Sequence, residues 1–80
     1  MDDLEDPARV FGAKLRAARK RARLTQTVLA ERIHSTQSYI SNAEQGKENP
    51  PLLTIILMAE ALDCSPLVDE AMELLFVKPA

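Results

Sequence analysis

Within residues 25–50 the chain sets five uncharged hydrogen-bonding side chains close together: Gln37, Ser38, Tyr39, Ser41 and Asn42. An amide offers a donor and an acceptor on one planar edge, and a hydroxyl offers either. A surface helix that needs only solubility usually carries Lys and Glu at such positions. Amides and hydroxyls are suited instead to a partner with a fixed donor–acceptor pattern. The base edges in a DNA major groove are such a partner, and Gln and Asn can pair bidentately with adenine. Charge stands nearby, since residues 9–23 hold seven bases (Arg9, Lys14, Arg16, Arg19, Lys20, Arg21 and Arg23) and no acid.

The flanking residues predict the elements that must hold this row. Thr25 caps a helix over residues 26–33, with Leu29, Ala30 and Ile33 as its apolar stripe. Thr36 or Ser35 caps the next, over residues 37–45, with Ile40 and Ala43 turned inward; Gly46 then ends it in the left-handed conformation. Upstream, Asp6-Pro7 opens a helix over residues 7–22 that turns Val10, Leu15 and Ala18 inward, together with Phe11 and Ala22. Downstream, Asn49-Pro50-Pro51 breaks the chain and caps a fourth helix over residues 52–62. Ser65-Pro66 repeats the cap-plus-Pro signal for a fifth, over residues 66–76. No strand-like alternation occurs. The fold class expected is all-α with five helices in one domain, residues 7–76, between an acidic arm (1–6) and a short tail (77–80).

Bulk properties narrow the function classes. A chain of 80 residues buries only about 60–65% of its unfolded surface, so self-association is a natural supplement to its core. Apolar residues make up 46% and aromatics 4%, as in small helical domains built from Leu, Ile, Val and Ala. The net charge is −2, but it is strongly divided: residues 1–8 hold four acids, whereas residues 51–80 hold five acids and one base. A phosphate backbone would meet the basic first helix and be repelled by the acidic end. A single Cys64 permits no internal disulfide, which points to the cytoplasm. No apolar run is long enough to span a membrane, and the acidic amino terminus does not resemble a signal peptide.

The ordered set Leu15, Arg19, Leu24-Thr25-Gln26, Leu29-Ala30-Glu31, Ser38, Ile40-Ser41, Glu44, Gly46-Lys47, Asn49-Pro50, Leu52, Thr54, Ala59, Ala61-Leu62 and Ser65 resembles the helix-turn-helix domains of the Cro and phage-repressor type. The resemblance runs from Phe11 to Pro66 and implies a lambda-repressor-like fold. It also implies roles. Gln37, Ser38, Tyr39, Ser41 and Asn42 would contact bases; Gln26, Thr36, Lys47, Arg16 and Arg23 would contact phosphates. Arg19 and Glu44 would form a buried ion pair between the first and third helices. Three departures bear on local geometry: His34 stands where the family has a positive-φ Gly, Ser35 and Ala43 replace larger apolar residues, and Arg23 replaces a helix-ending Gly. A thin core beneath the third helix is expected at Ala43.

The last two helices carry more apolar side chains than one face needs. In the fourth, Leu52, Ile55, Ile56, Ala59 and Leu62 are expected in the core. A symmetric dimer interface is then expected from Leu53, Leu57, Leu67, Ala71, Met72, Leu75 and Phe76. The partners expected are double-stranded DNA and a second copy of the chain. The function expected is a sequence-specific regulator on a palindromic operator, of the kind found among phage repressors and restriction–modification controllers. The alternative is an antitoxin or interaction module whose apolar helices hold a toxin, and contact with polymerase is compatible with either. No ligand set surrounds His34 or Cys64, so no metal, no cofactor and no small-molecule ligand is expected. Asp69, Glu70 and Glu73 form no catalytic pair, and no enzyme is expected.

Overall fold

The computed structural model describes residues 6–76, so the acidic residues 1–5 and the tail 77–80 lie outside the described residues. Five helices follow one another, α1 (Pro7–Arg21), α2 (Gln26–Arg32), α3 (Gln37–Glu44), α4 (Leu52–Leu62) and α5 (Pro66–Ala71), and a π-helical turn, Met72–Phe76, continues α5. No strand occurs among the described residues. Local chemistry accounts for three of the five starts, and α4 begins after Pro51 with no side-chain cap. Asp6 Oδ1 accepts from the Ala8 amide at 3.0 Å, and Thr25 and Thr36 hydroxyls accept from Val28 and Tyr39 at 3.1 Å. Thr36, not Ser35, is therefore the cap of α3. Ser65 does not cap α5: its backbone is already helical, so its hydroxyl is not placed to reach the following amides.

The core joins all five helices through Phe11, Leu15, Ala18, Leu29, Ala30, Ile33, Ile40, Ala43, Ile55, Met58, Ala59, Leu62, Leu67 and Ala71. In α4 the buried line is Ile55, Met58, Ala59 and Leu62, the i, i+3, i+4, i+7 spacing of one helical face. Leu52 and Ile56, expected inward, are exposed: Leu52 continues that line but is the first residue of the helix, and Ile56 falls to one side of it. Leu67 and Ala71, expected at a dimer surface, are fully buried in the chain's own core and present nothing to a partner.

The core under α3 is close, not thin. A Cβ on Gly12 would stand 2.5 Å from the carbonyl oxygens of Ala43 and Glu44, well inside contact distance. Glycine on α1 and the small Ala43 on α3 thus let two helix backbones approach directly, and a larger residue at position 43 is not needed to fill the space. Three non-glycine residues adopt positive φ: Arg23 (61°) after α1, His34 (57°) between α2 and α3, and Asp63 (51°) after α4. Gly46 follows α3 at φ 78°.

Candidate nucleic-acid interface

Packed on α1 from behind, α3 turns its opposite side outward. Gln37 and Ser38 are exposed, Tyr39, Ser41 and Asn42 are half-buried, and Gln45 is exposed beyond them. Gln45, absent from the sequence-derived set, donates from Nε2 to Ser41 Oγ at 2.9 Å. Its amide lies one turn along from Ser41, and that spacing is the signal that would have found it. Half of Tyr39 packs against the core. Burial raises its hydroxyl pKa, and the Glu48 carboxylate raises it further, so the phenol keeps its proton at neutral pH.

The row is anchored from below by ionic chemistry. Arg19 Nε donates to Glu44 Oε2 at 2.6 Å and Arg19 Nη2 donates to Oε1 at 3.1 Å, a bidentate pair with side chains only 10% and 3% exposed. The remaining arm of the guanidinium, Nη1, donates to the Leu24 carbonyl at 2.8 Å and so ties down the turn before α2. Gln26 Nε2 donates to Glu44 Oε1 at 3.1 Å, and Gln37 Nε2 donates to Gln26 Oε1 at 2.6 Å. One continuous line of hydrogen bonds therefore runs from α1, through the buried carboxylate of α3 and the start of α2, to the first residue of α3. Among the described residues no buried side-chain nitrogen or oxygen lacks a partner.

The sequence-derived phosphate contacts surround this line. Arg16 shares a shallow recess of about 270 Å³ with Arg19, Gln26, Ser41, Glu44 and Gln45. Arg23 is exposed on the α1–α2 turn, Thr36 at the start of α3 and Lys47 just past its end. Elsewhere on the surface, α4 exposes Leu52, Leu53, Ile56 and Leu57, with Leu53 at 68%, and the π-helical turn exposes Met72 and Phe76. Leu75 is half-buried. No group of three or more His, Cys, Asp or Glu side chains gathers among the described residues, and no helix there is long and apolar enough to cross a membrane.

Known proteins share both the pattern and the shape. The family model described as helix-turn-helix matches residues 15–68. An immunity repressor protein of Bacillus phage phi105 is 39% identical over 51 residues, which cover 64% of this chain and 35% of the phage protein. The chain therefore spans about a third of that relative's length. An uncharacterised helix-turn-helix-type transcriptional regulator of Sinorhizobium fredii, y4dJ, is 32% identical over 60 residues, covering 75% of this chain and 78% of that protein. The crystal structure of the restriction–modification controller protein C.AhdI from Aeromonas hydrophila superposes with a TM-score of 0.75 at 33% identity, over 88% of this chain and 99% of that one.

Proposed function

Because this chain belongs to the helix-turn-helix family of DNA-binding transcription regulators, we propose that it binds a palindromic operator as a homodimer and acts there as a repressor or controller. The observation that carries the reading is the outer face of α3, a row of uncharged donors and acceptors in which Gln37 is tied through Gln26 to a buried ion pair and Ser41 is tied to Gln45. Gln37 and Ser41 thus meet a major groove already held, so less conformational entropy is lost on binding. Gln37, Ser38, Tyr39, Ser41, Asn42 and Gln45 read base edges. Arg16, Arg23, Gln26, Thr36 and Lys47 hold the phosphates on either side.

One recognition helix spans few base pairs, and the apolar face of α4 supports a second copy. Leu53 and Leu57, with Leu52, Ile56, Met72 and Phe76, form the surface that the second copy covers. A two-fold axis through that surface sets two α3 helices on half-sites about 34 Å apart, one turn of the duplex. The agreement in fold with a restriction–modification controller, over 88% of this chain and 99% of that one, favours that class. The cytoplasm is the compartment in which such a regulator acts.

Selection of bound sequences from a random duplex pool tests the reading. The expected product is a pair of inverted half-sites. Gln37→Ala and Asn42→Ala should each relax base preference at particular positions by about 1–3 kcal/mol. Recovery of no motif, or of one indifferent to both substitutions, would refute it. The same apolar face also favours a second reading, in which α4 holds a different protein such as a toxin. A sedimentation mass equal to the monomer at micromolar concentration would favour that reading over the homodimer.

A further inference from the structure

The line of hydrogen bonds beneath α3 begins at a group that only accepts, and this fixes the direction of each bond beyond it. A glutamine amide between two partners can be inserted either way round, and the two ways exchange donor for acceptor. The Glu44 carboxylate, already engaged by Arg19 at 2.6 and 3.1 Å, removes that freedom from its neighbour. Gln26 must turn its amino group to Glu44 Oε1, which leaves its carbonyl oxygen facing Gln37. Gln37 must then turn its own amino group to Gln26 Oε1. One N–H of Gln37 is consumed, and its second N–H and its carbonyl oxygen remain for a ligand. That pair of groups matches adenine, whose N7 accepts and whose N6 donates. Had the line run the other way, Gln37 would turn its carbonyl inward and offer only N–H groups, which match the two acceptors O6 and N7 of guanine.

We infer that Glu44 is a positioning residue for base selection, setting the donor–acceptor sense of Gln37 through Gln26. The inference rests on the reading of α3 as a base-reading helix. Its particular content is that a buried carboxylate, which touches no DNA, decides which base one position of the operator prefers. Arg19 belongs to the same device, because its guanidinium holds both carboxylate oxygens in place.

The test follows base preference at one position, separately from affinity. Gln37→Ala first identifies the base pair that Gln37 reads. In the wild-type protein adenine should be preferred there by roughly five- to 150-fold, the ratio that corresponds to about 1–3 kcal/mol. Gln26→Met interrupts the line and leaves the buried pair intact. Because Gln26 also holds a phosphate, affinity should fall for every sequence; beyond that, the adenine preference at this position should drop to about threefold or less while the ratios at the other positions stay. Glu44→Met combined with Arg19→Met removes the group that only accepts without stranding its buried partner. Both senses of the Gln26–Gln37 pair are then open, so the adenine preference at that one position should fall to about threefold or less while the other positions keep theirs. Thermal melts establish that each variant is folded; an adenine preference unchanged in the folded double variant would overturn the role of Glu44, and where the double variant does not fold, Gln26→Met decides. Affinity that falls equally for every sequence, with the adenine preference intact in Gln26→Met, would overturn the inference and leave the DNA-reading function standing. Failure of the wild-type protein to select any motif would overturn that function and the inference together.

Discussion

The outer faces of α3 and α4 are opposites. On α3 the outward side chains are amides and hydroxyls, of which Gln37 is tied through Gln26 to a buried ion pair and Ser41 is tied to Gln45. On α4 the exposed side chains are Leu53, at 68%, and Leu52, Ile56 and Leu57, each left more than a third open. The first face is tied down at Gln37 and Ser41 before any ligand arrives. The second retains a hydrophobic free energy that is released only when something covers it. The difference teaches that this domain separates two tasks: the charges that hold its fold also order its polar face, whereas its apolar face contributes little to the fold and is free to serve association.

The largest effect should come from breaking the anchor of the polar face. Glu44→Ala leaves the Arg19 guanidinium buried without its partner, and Arg19→Ala does the same to the carboxylate; either should cost about 3–5 kcal/mol of folding stability. Denaturant unfolding of the single and double variants checks this. The two losses should be strongly non-additive, because once one partner is gone the other only adds a stranded charge. Additive losses would mean that the two groups act apart, and would dissolve the link between fold and polar face.

The complementary break lies on α4. Leu53→Asp combined with Leu57→Asp puts two like charges on the apolar face; Leu53, at 68% exposure, should cost no more than about 0.5 kcal/mol of folding stability, and Leu57, at 38%, about 1 kcal/mol. Binding to a two-half-site operator should fall by about 100-fold or more, because each half-site must then be bound independently. Sedimentation and a binding titration, measured beside the melting curve, give the three values. A large loss of stability with unchanged mass would show that α4 serves the fold after all, and the contrast between the two faces would fail.

How much of this arrangement was legible in the sequence depended on whether a residue's role was local. Helix starts were readable because Asp6, Thr25 and Thr36 cap with their own side chains a few residues away. The all-α class and four of the five helix extents followed from the same local signals, and only at Met72 does the fifth helix change to a π-helical turn. What needed a partner from elsewhere in the chain was not readable. Leu67 and Ala71 looked like a surplus apolar face until α1 and α4 were seen to cover them. Ala43 looked like a gap until Gly12 brought a backbone to it. Gly12 itself was a signal passed over, since an isolated Gly within a helical pattern usually marks a packing reason. In the candidate interface the residue types on α3 were legible, but their bonds were not. Nothing in the spacing says that Gln26 donates to Glu44 and accepts from Gln37, because those contacts span 18 and 11 residues.

The smallest effect sharpens the comparison at the hinge between α2 and α3. His34 holds φ 57° in the turn that sets the angle of the polar face, and the following amide, that of Ser35, reaches back to the Ala30 carbonyl at 2.8 Å. An L-residue in this left-handed region is disfavoured by roughly 1–2 kcal/mol, and His is among the better tolerated. Gly removes that strain but also frees the unfolded chain, which offsets about 0.4–1 kcal/mol of the gain. His34→Gly should therefore stabilise the domain by less than about 1 kcal/mol, read as a higher denaturation midpoint with an unchanged slope. If the turn only sets the backbone path, the base preferences selected by α3 should stay the same. A changed preference would mean that His34 adjusts the seating of α3, and the order of the polar face would then depend on the turn as well as on the ion pair.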